Sequence, residues 1–174
     1  CNQIDVPIVF LHNITGYIVG TDFERGGITK NGSKMINAVS NSTVPHITII
    51  VGASYGAGNY GMSGRAFGTR FAFIWPTAKI AVMGPKQMAG VMTIVQRQAA
   101  ERRGIEFDEE ADAKRAETAE FWAEERSKGL FATSRVSDDG MIDPRDTRSV
   151  IAIVLSACHN GPIEGTKEYG TWRM

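Results

Sequence analysis

Val44–Arg65 reads VPHITIIVGASYGAGNYGMSGR, and this stretch decides how the rest of the chain is understood. Pro45 cannot continue a helix, so whatever helix precedes it must stop. His46–Val51 (HITIIV) is rich in β-branched residues and carries no charge, which predicts a buried strand. The longest apolar stretch of the chain, Ile47–Ala53, lies here. A glycine cluster follows, with Gly52, Gly56, Gly58, Gly61, Gly64 and Gly68. Glycines at such a bend let other groups approach the backbone closely. If a helix starts there, its first N–H groups are free donors and its dipole favours negative charge. The bend is therefore a place where an anion, or an oxyanion forming during a reaction, can sit.

Three functional patterns fit the same letters. Gly52-Ala53-Ser54-Tyr55-Gly56 satisfies GxSxG, the nucleophile elbow of hydrolases, with Ser54 as nucleophile. His159 and one of Asp138, Asp139, Asp143 or Asp146 then follow in the required chain order. Such enzymes place several strands before the elbow, however, and here only about one precedes it. Gly52, Gly56 and Gly58 also satisfy GxxxGxG, a nucleotide-loop spacing of some dehydrogenases. That reading requires an acidic residue at the end of the next strand, and Phe71–Trp75 has none. It also requires Tyr-x-x-x-Lys, which follows no tyrosine in the chain. The third reading is an oxyanion hole formed by the peptide N–H groups of Ala57 and Gly58, with no side-chain nucleophile. On this segment alone the simplest reading is a glycine-rich turn that lets a strand and a helix pack tightly.

Outward from the cluster, strands and helices alternate. Pro7–Asn13 (PIVFLHN) predicts a strand that ends at Thr15-Gly16, and a polar loop, Gly20–Gly27, follows. Thr29–Ser42 has helical periodicity, with Met35, Ile36 and Val39 on one side. Phe71–Trp75, stopped by Pro76, and Lys79–Met83 predict two more strands. Gly84-Pro85 opens a helix with proline in its first turn, running to about Arg103 with Met88, Val91, Met92 and Val95 as its apolar face. Asp108–Lys128 predicts a charged helix whose apolar members are Ala111, Ala116, Ala119, Phe121 and Trp122. Asp138-Asp139-Gly140 predicts a turn. Asp143 and Pro144 are the cap and first position of a last helix reaching about His159. Gly161–Met174 lacks periodicity and is expected to pack as an extended segment. The pattern predicts an α/β fold in one domain.

Composition narrows the function classes. In 174 residues, Lys plus Arg and Asp plus Glu number 19 each, so no net field favours nucleic acid or an anionic membrane. No apolar run approaches the roughly 18 residues of a membrane span, and no targeting segment is visible. Cys1 and Cys158 form no CxxC motif, which fits a reducing compartment. His12, His46 and His159 lack metal-ligand spacing, so no metal is expected and each reads as a packing or surface residue. The simplest role for the Ser54 hydroxyl is a bond to nearby backbone. Tyr55 and Tyr60 suit either core packing or the flanks of a planar ligand. The chain opens at Cys1 as if in mid-sequence and is expected to be a fragment of a longer protein.

Several segments, in order, resemble one family. Asn13–Tyr17 (NITGY), Val19–Ile28 (VGTDFERGGI), Val44–Arg65, Phe71–Gly84 (FAFIWPTAKIAVMG) and Asp138–Arg148 (DDGMIDPRDTR) together resemble the C-terminal half of the carboxyltransferase β subunit of biotin-dependent acyl-CoA carboxylases. Among the methylcrotonyl-CoA, geranyl-CoA and propionyl-CoA types, the first two are nearest, because NITG, GAGNYGM and a terminal Arg-Met recur there. The resemblance implies a crotonase-type (ClpP-like) ββα spiral fold. It implies carboxyl transfer from carboxybiotin, carried on a separate domain, to the α or vinylogous γ carbon of an acyl-CoA. It assigns the biotin-side oxyanion hole to the Ala57 and Gly58 amides, and the pocket to Gly16, Tyr17, Tyr55, Gly56, Met83 and Gly84. The implied partners are the N-terminal half of the same subunit, which binds the acyl-CoA, further β subunits in a trimer or hexamer, and a biotinylated α subunit. Bacterial cytoplasm or mitochondrial matrix is the expected compartment, and the fragment alone is expected to be poorly active. The rival readings are a serine hydrolase using Ser54 and a non-catalytic oligomerisation domain.

Overall fold

A computed structural model describes residues 1–169. After a short 3-10 turn at Asn2–Ile4, the elements run β1 (Ile8–Ile14), α1 (Thr21–Arg25), α2 (Ile28–Asn41), β2 (His46–Tyr55) and α3 (Gly56–Gly61). A 3-10 turn at Arg65–Phe67 leads to β3 (Phe71–Ile74), β4 (Lys79–Ala81), α4 (Pro85–Arg103), α5 (Glu109–Ser127) and α6 (Gly129–Ser134). The last elements are β5 (Gly140–Met141), a 3-10 turn at Pro144–Asp146, and α7 (Thr147–Cys158).

The five strands form one sheet in the order β1-β2-β3-β5, with β4 also paired to β2. All four of these pairings are parallel. The central β2 is covered on both faces. His46 to Ile50 are all buried, which is why the run reads as continuously apolar rather than alternating. Beside β2 the chain makes two short strands in tandem. β3 pairs Ile47–Ile50, the chain turns at Trp75–Ala78, and β4 rejoins β2 at Ala53–Tyr55. The turn is closed by Ala78 N–H donating to Trp75 O at 3.0 Å, and Pro76 inside it ends β3. This strand–strand–helix repeat is the expected crotonase-type spiral. Ile50, Ile74, Ala78 and Ala132 form the core, with Trp75, Ile80 and Met141 packed against it.

Local chemistry explains several boundaries. Asp108 caps α5, its Oδ1 accepting from Ala111 N–H at 2.9 Å. Gly84 caps α4 with proline in the first turn, and Gly104 ends it at φ 66°. Asp143 accepts from Arg145 N–H at 2.8 Å, but it starts a 3-10 turn, and α7 begins only at Thr147. The Asp138–Gly140 turn is pinned by the bidentate Arg65–Asp139 pair, at 2.8 and 2.9 Å. Asp139 also accepts from Ala72 N–H at 2.7 Å. Burial would raise the Asp139 carboxyl, but Arg65 and the Ala72 N–H outweigh it and hold it below the usual range.

Several further sequence expectations need correction. β2 runs through Gly52–Tyr55, because β4 supplies hydrogen-bond partners for a segment that reads as loop. The polar Gly20–Gly27 loop contains the short helix α1, and α6 forms where no separate helix is expected. Ala89 and Ala100 of α4 are buried, but most of its larger apolar residues are not. Val91, Met92 and Val95 are 47%, 46% and 51% exposed, and Phe121 and Trp122 on α5 are also exposed. The two helices pack chiefly on each other, tied by Thr93 Oγ1 donating to the buried Asp112 carboxylate at 2.6 Å. Residues 161–169 run without regular structure back to the N-terminal turn, where Lys167 Nζ donates to Asp5 Oδ1 at 2.7 Å. The remainder of the expected extended tail lies outside the described residues.

Candidate active site at the carboxyl ends of the strands

In open parallel sheets the loops at the strand carboxyl ends are the usual ligand positions. Here the loops after β1, β2 and β4 enclose a cleft of ≈ 620 Å³. One wall is Thr15, Gly16, Tyr17, Ile18 and Val19, the floor is Tyr55, Gly56 and Ala57, and the far wall is Val82, Met83, Gly84 and Gln87.

Glycines bring these loops into contact. Gly56 adopts φ +58°, and a Cβ on it would lie 3.0 Å from Val82 O, so the β2 and β4 loops touch only because none is present. A Cβ on Gly58 would lie 3.1 Å from Ile14 Cδ1 and 3.2 Å from Gly16 Cα, which does the same for the β1 loop. The end of β1 is shaped by an irregularity between His12 and Ile14, where Asn13 turns its amide oxygen towards the Ala53 N–H at 3.3 Å. Such bulges redirect a strand end. Tyr17 anchors the following loop, its ring lying against Gly32 of α2 and its hydroxyl donating to Gly32 O at 3.4 Å. Burial pushes the Tyr17 phenol up.

Every expected pocket residue except Gly58 lines this cleft. Gly58 stands one position behind Ala57, against Gly16. Ala57 is exposed, and Tyr55 is nearly buried at the end of β2. Tyr60 does not line the cleft and instead packs edge-to-face on Phe67 at 5.4 Å. Ile18, Val19 and Gln87 are not singled out from sequence. Gln87 alone carried a usable signal, one turn into the helix that starts at Gly84.

The electrostatics come from backbone. Among the described residues no carboxylate, imidazole, ammonium or thiol lines the cleft. The first turns of α3 and α4 both open on it through Gly56, Ala57, Gly84 and Gln87. The N–H groups of Ala57 and Gly58 have no partner within the first turn of α3. None of the side chains or loop carbonyls of the described residues accepts from either. The arrangement can stabilise negative charge, and the Tyr17 and Tyr55 phenols are its one kind of ionisable side chain among the described residues.

Ser54 is fully buried. Its hydroxyl bonds His12 Nδ1 at 2.8 Å and accepts from Asn59 Nδ2 at 2.8 Å. It therefore contacts side chains rather than nearby backbone. His159, the expected hydrolase base, is exposed and its Nδ1 donates to Leu155 O at 2.8 Å. His46 is buried between Ser63 and Ser42, at 2.7 and 2.8 Å. Burial lowers the pKa of both His12 and His46. Among the described residues no group of three or more His, Cys, Asp or Glu side chains could hold a metal, and no helix is long and apolar enough to cross a membrane. Both cysteines are free.

The carboxyl transferase domain model matches residues 1–170. The chain belongs to the carboxyl transferase domain family. It is 57% identical over 173 residues to a probable biotin-dependent acyl-coenzyme A carboxylase beta2 subunit of Mycobacterium tuberculosis, covering 99% of this chain and 33% of that one. It is 49% identical to the mitochondrial methylcrotonoyl-CoA carboxylase beta chain of Arabidopsis thaliana, covering 100% and 30%. Among solved structures, the geranyl-CoA carboxylase beta subunit of P. aeruginosa superposes with a TM-score of 0.85 at 40% identity, covering 96% of this chain and 32% of that one. Transcarboxylase 12S, described as a hexamer assembly, superposes at 0.79 with 32% identity, covering 100% and 32%. This carboxyl transferase domain thus spans about a third of the length of the curated relatives it matches.

Proposed function

We propose that this domain is the C-terminal, biotin-facing half of the carboxyltransferase β subunit of a biotin-dependent acyl-CoA carboxylase, and that the Ala57 and Gly58 amides stabilise negative charge on the biotin ureido oxygen. One observation carries the reading. An uncharged cleft at the strand carboxyl ends receives two helix N-termini and contains no titratable group other than two tyrosines. Carboxyl transfer develops an oxyanion on each of the two reactants, so fixed donors in a sheltered site are what the reaction needs. Carboxybiotin, when bound, would supply the carboxyl group and leave biotin as the product.

The residues of this chain do the rest by position. Ala57 N–H is the front donor, and Gly58 follows in the same turn. Gly16 keeps the β1 loop close without a side chain in the way. Met83 and Gly84 close the far wall, and Tyr55 completes the floor. The missing side-chain base fits this chemistry, because the proton taken from the acyl-CoA goes to biotin itself.

The acyl-CoA is bound by the N-terminal half, which lies outside this chain, so the domain alone is expected to turn over poorly. The relatives named as beta subunits and the hexameric transcarboxylase support assembly with further β subunits and a biotinylated α subunit. The exposed apolar residues of α4 and α5 support contact of this face with another part of that assembly. A bacterial cytoplasm or a mitochondrial matrix suits the reading, as in the mitochondrial relative. No observation favours a serine hydrolase, because the Ser54 hydroxyl is buried and already bonded.

The test is Ala57→Pro in the full-length subunit assembled with its partner. Proline is tolerated in a first helical turn and removes the N–H, its ring Cδ taking the place of the amide hydrogen. Loss of one oxyanion donor lowers kcat by about 100- to 1000-fold. The KM for acyl-CoA should stay unchanged. Normal turnover in this variant would overturn the assignment.

A further inference from the structure

Helix α3 cannot hold its own direction. It has six residues, three of them glycine (Gly56, Gly58 and Gly61), and lacks a side-chain cap. Helices this short are not stable alone, and each glycine weakens one further. Yet the direction of its first turn is what aims the Ala57 amide into the cleft. Something outside the helix must fix it.

A chain of buried hydrogen bonds does so. Asn59 Nδ2, in the middle of α3, donates to Ser54 Oγ at 2.8 Å. Ser54 Oγ lies 2.8 Å from His12 Nδ1, and His12 Nε2 lies 2.6 Å from Met62 O at the end of α3. The direction of every bond follows from the two ends. A carbonyl only accepts, so His12 Nε2 carries the hydrogen and donates to Met62 O. In the neutral ring Nδ1 then accepts, and it takes the single hydrogen of the Ser54 hydroxyl. The hydroxyl oxygen is left to accept from Asn59. His12 and Ser54 are both fully buried and belong to the paired strands β1 and β2. The network therefore grips α3 at its middle and its end and ties both points to the sheet.

We infer that His12 is a positioning residue for the Ala57 amide, acting through Ser54, Asn59 and the Met62 carbonyl to hold α3 in the direction that carboxyl transfer requires. This rests on the proposed oxyanion role of Ala57. It also gives Ser54 a function without nucleophilic chemistry, since its one hydrogen is committed to His12.

The test compares His12→Phe with His12→Gln in the full-length, assembled enzyme. Phenylalanine keeps ring bulk and loses both nitrogens. The glutamine amide can accept from Ser54 through Oε1 and donate to Met62 O through Nε2. His12→Phe should lower kcat about tenfold or more at unchanged KM for acyl-CoA. His12→Gln should recover most of that loss. Equal kcat in both variants, whether both are lowered or neither, overturns the inference. So does a rise in KM that accounts for the whole loss. If His12→Phe fails to assemble, Asn59→Ala removes only the outermost donor. It should lower kcat about threefold or more with assembly and KM intact, and an unchanged kcat overturns the inference. Ala57→Pro, measured alongside, separates the two ideas. Normal turnover there removes the oxyanion reading, whereas lost turnover there with normal turnover in His12→Phe removes only the positioning role.

Discussion

Replacing Gly56 by alanine tests whether the walls of the cleft are set by contacts between backbones. Two effects are expected, and Gly68 supplies a control that separates them. Gly56 and Gly68 both have positive φ, +58° and +72°, so alanine at either meets the same left-handed penalty. That penalty is roughly 1–2 kcal/mol, offset by about 0.4–1 kcal/mol from the stiffer unfolded chain. Only at Gly56 does the new Cβ meet anything. It would lie 3.0 Å from Val82 O, whereas ordinary contact begins at 3.4 Å, so the β4 loop must retreat by about 0.4 Å (3.4 − 3.0). At Gly68 nothing lies within 4 Å. A misplacement of about 1 Å can cost about 100-fold in rate, so 0.4 Å scaled on a logarithmic axis gives about sixfold. The assay is steady-state kcat of the full-length assembled enzyme, with the thermal unfolding midpoint of each variant. Both variants should lose similar stability. Gly56→Ala should lose about sixfold in kcat, and Gly68→Ala should keep normal turnover. Equal turnover in the two variants would refute the contact argument, because the backbone penalty would then be the only effect.

Two further outcomes follow from buried and capping groups. His12 and His46 are held neutral by burial, with folded pKa values below the ordinary one of about 6.5. The unfolded chain then binds more protons than the folded one below that pH. Stability is full above about pH 6.5 and falls as acid is added towards the folded values, by at most about 1.4 kcal/mol per pH unit for His12. Unfolding midpoints between about pH 5 and 8 should fall less steeply for His12→Gln than for wild type, and parallel profiles would contradict this. Asp108→Ala removes the cap on Ala111 N–H and should cost about 1 kcal/mol, with turnover unchanged. Faster amide exchange confined to the first turn of α5 is the corresponding signature.

What was legible in the sequence was local. Pro45, Pro76 and Gly84-Pro85 mark real boundaries, and the uncharged His46–Val51 run is the covered central strand. The amphipathic pattern of α4 was legible as a pattern, but its destination was not. Met88, Val91, Met92 and Val95 would form an ordinary core face, yet among the described residues they are only partly covered and stay 36–51% exposed. A period of apolar residues states that a face will be buried somewhere, not that the burying surface belongs to the same stretch of chain. The strand assignment for Gly52–Tyr55 failed for a related reason. Glycine disfavours a strand locally, and the pairing with Lys79–Ala81 that outweighs this is formed by residues some 25 positions away.

The site was half legible because its information lies in side chains that are missing. GxSxG draws attention to Ser54, the one residue of the motif with a reactive group, and that group is buried and committed to His12, which lies 42 positions earlier. Gly56 and Gly58, at the base of the cleft, are positions where a Cβ would have little room. A Cβ on Gly56 would lie 3.0 Å from Val82 O, and one on Gly58 would lie 3.2 Å from Gly16 Cα. Such contacts join three loops from three strands, and no spacing rule within a single segment can encode them. A site that uses peptide N–H groups leaves in the sequence only the pattern of exclusions that keeps those groups reachable. Reading it requires asking of each glycine what a methyl group would strike. On that criterion Gly56 and Gly58 stand apart from Gly68, Gly90 and Gly104, where added bulk meets open space. The distinction is steric before it is chemical, so larger residues at Gly56 and Gly58 should displace the cleft walls, while at Gly68 they should strain only the local backbone.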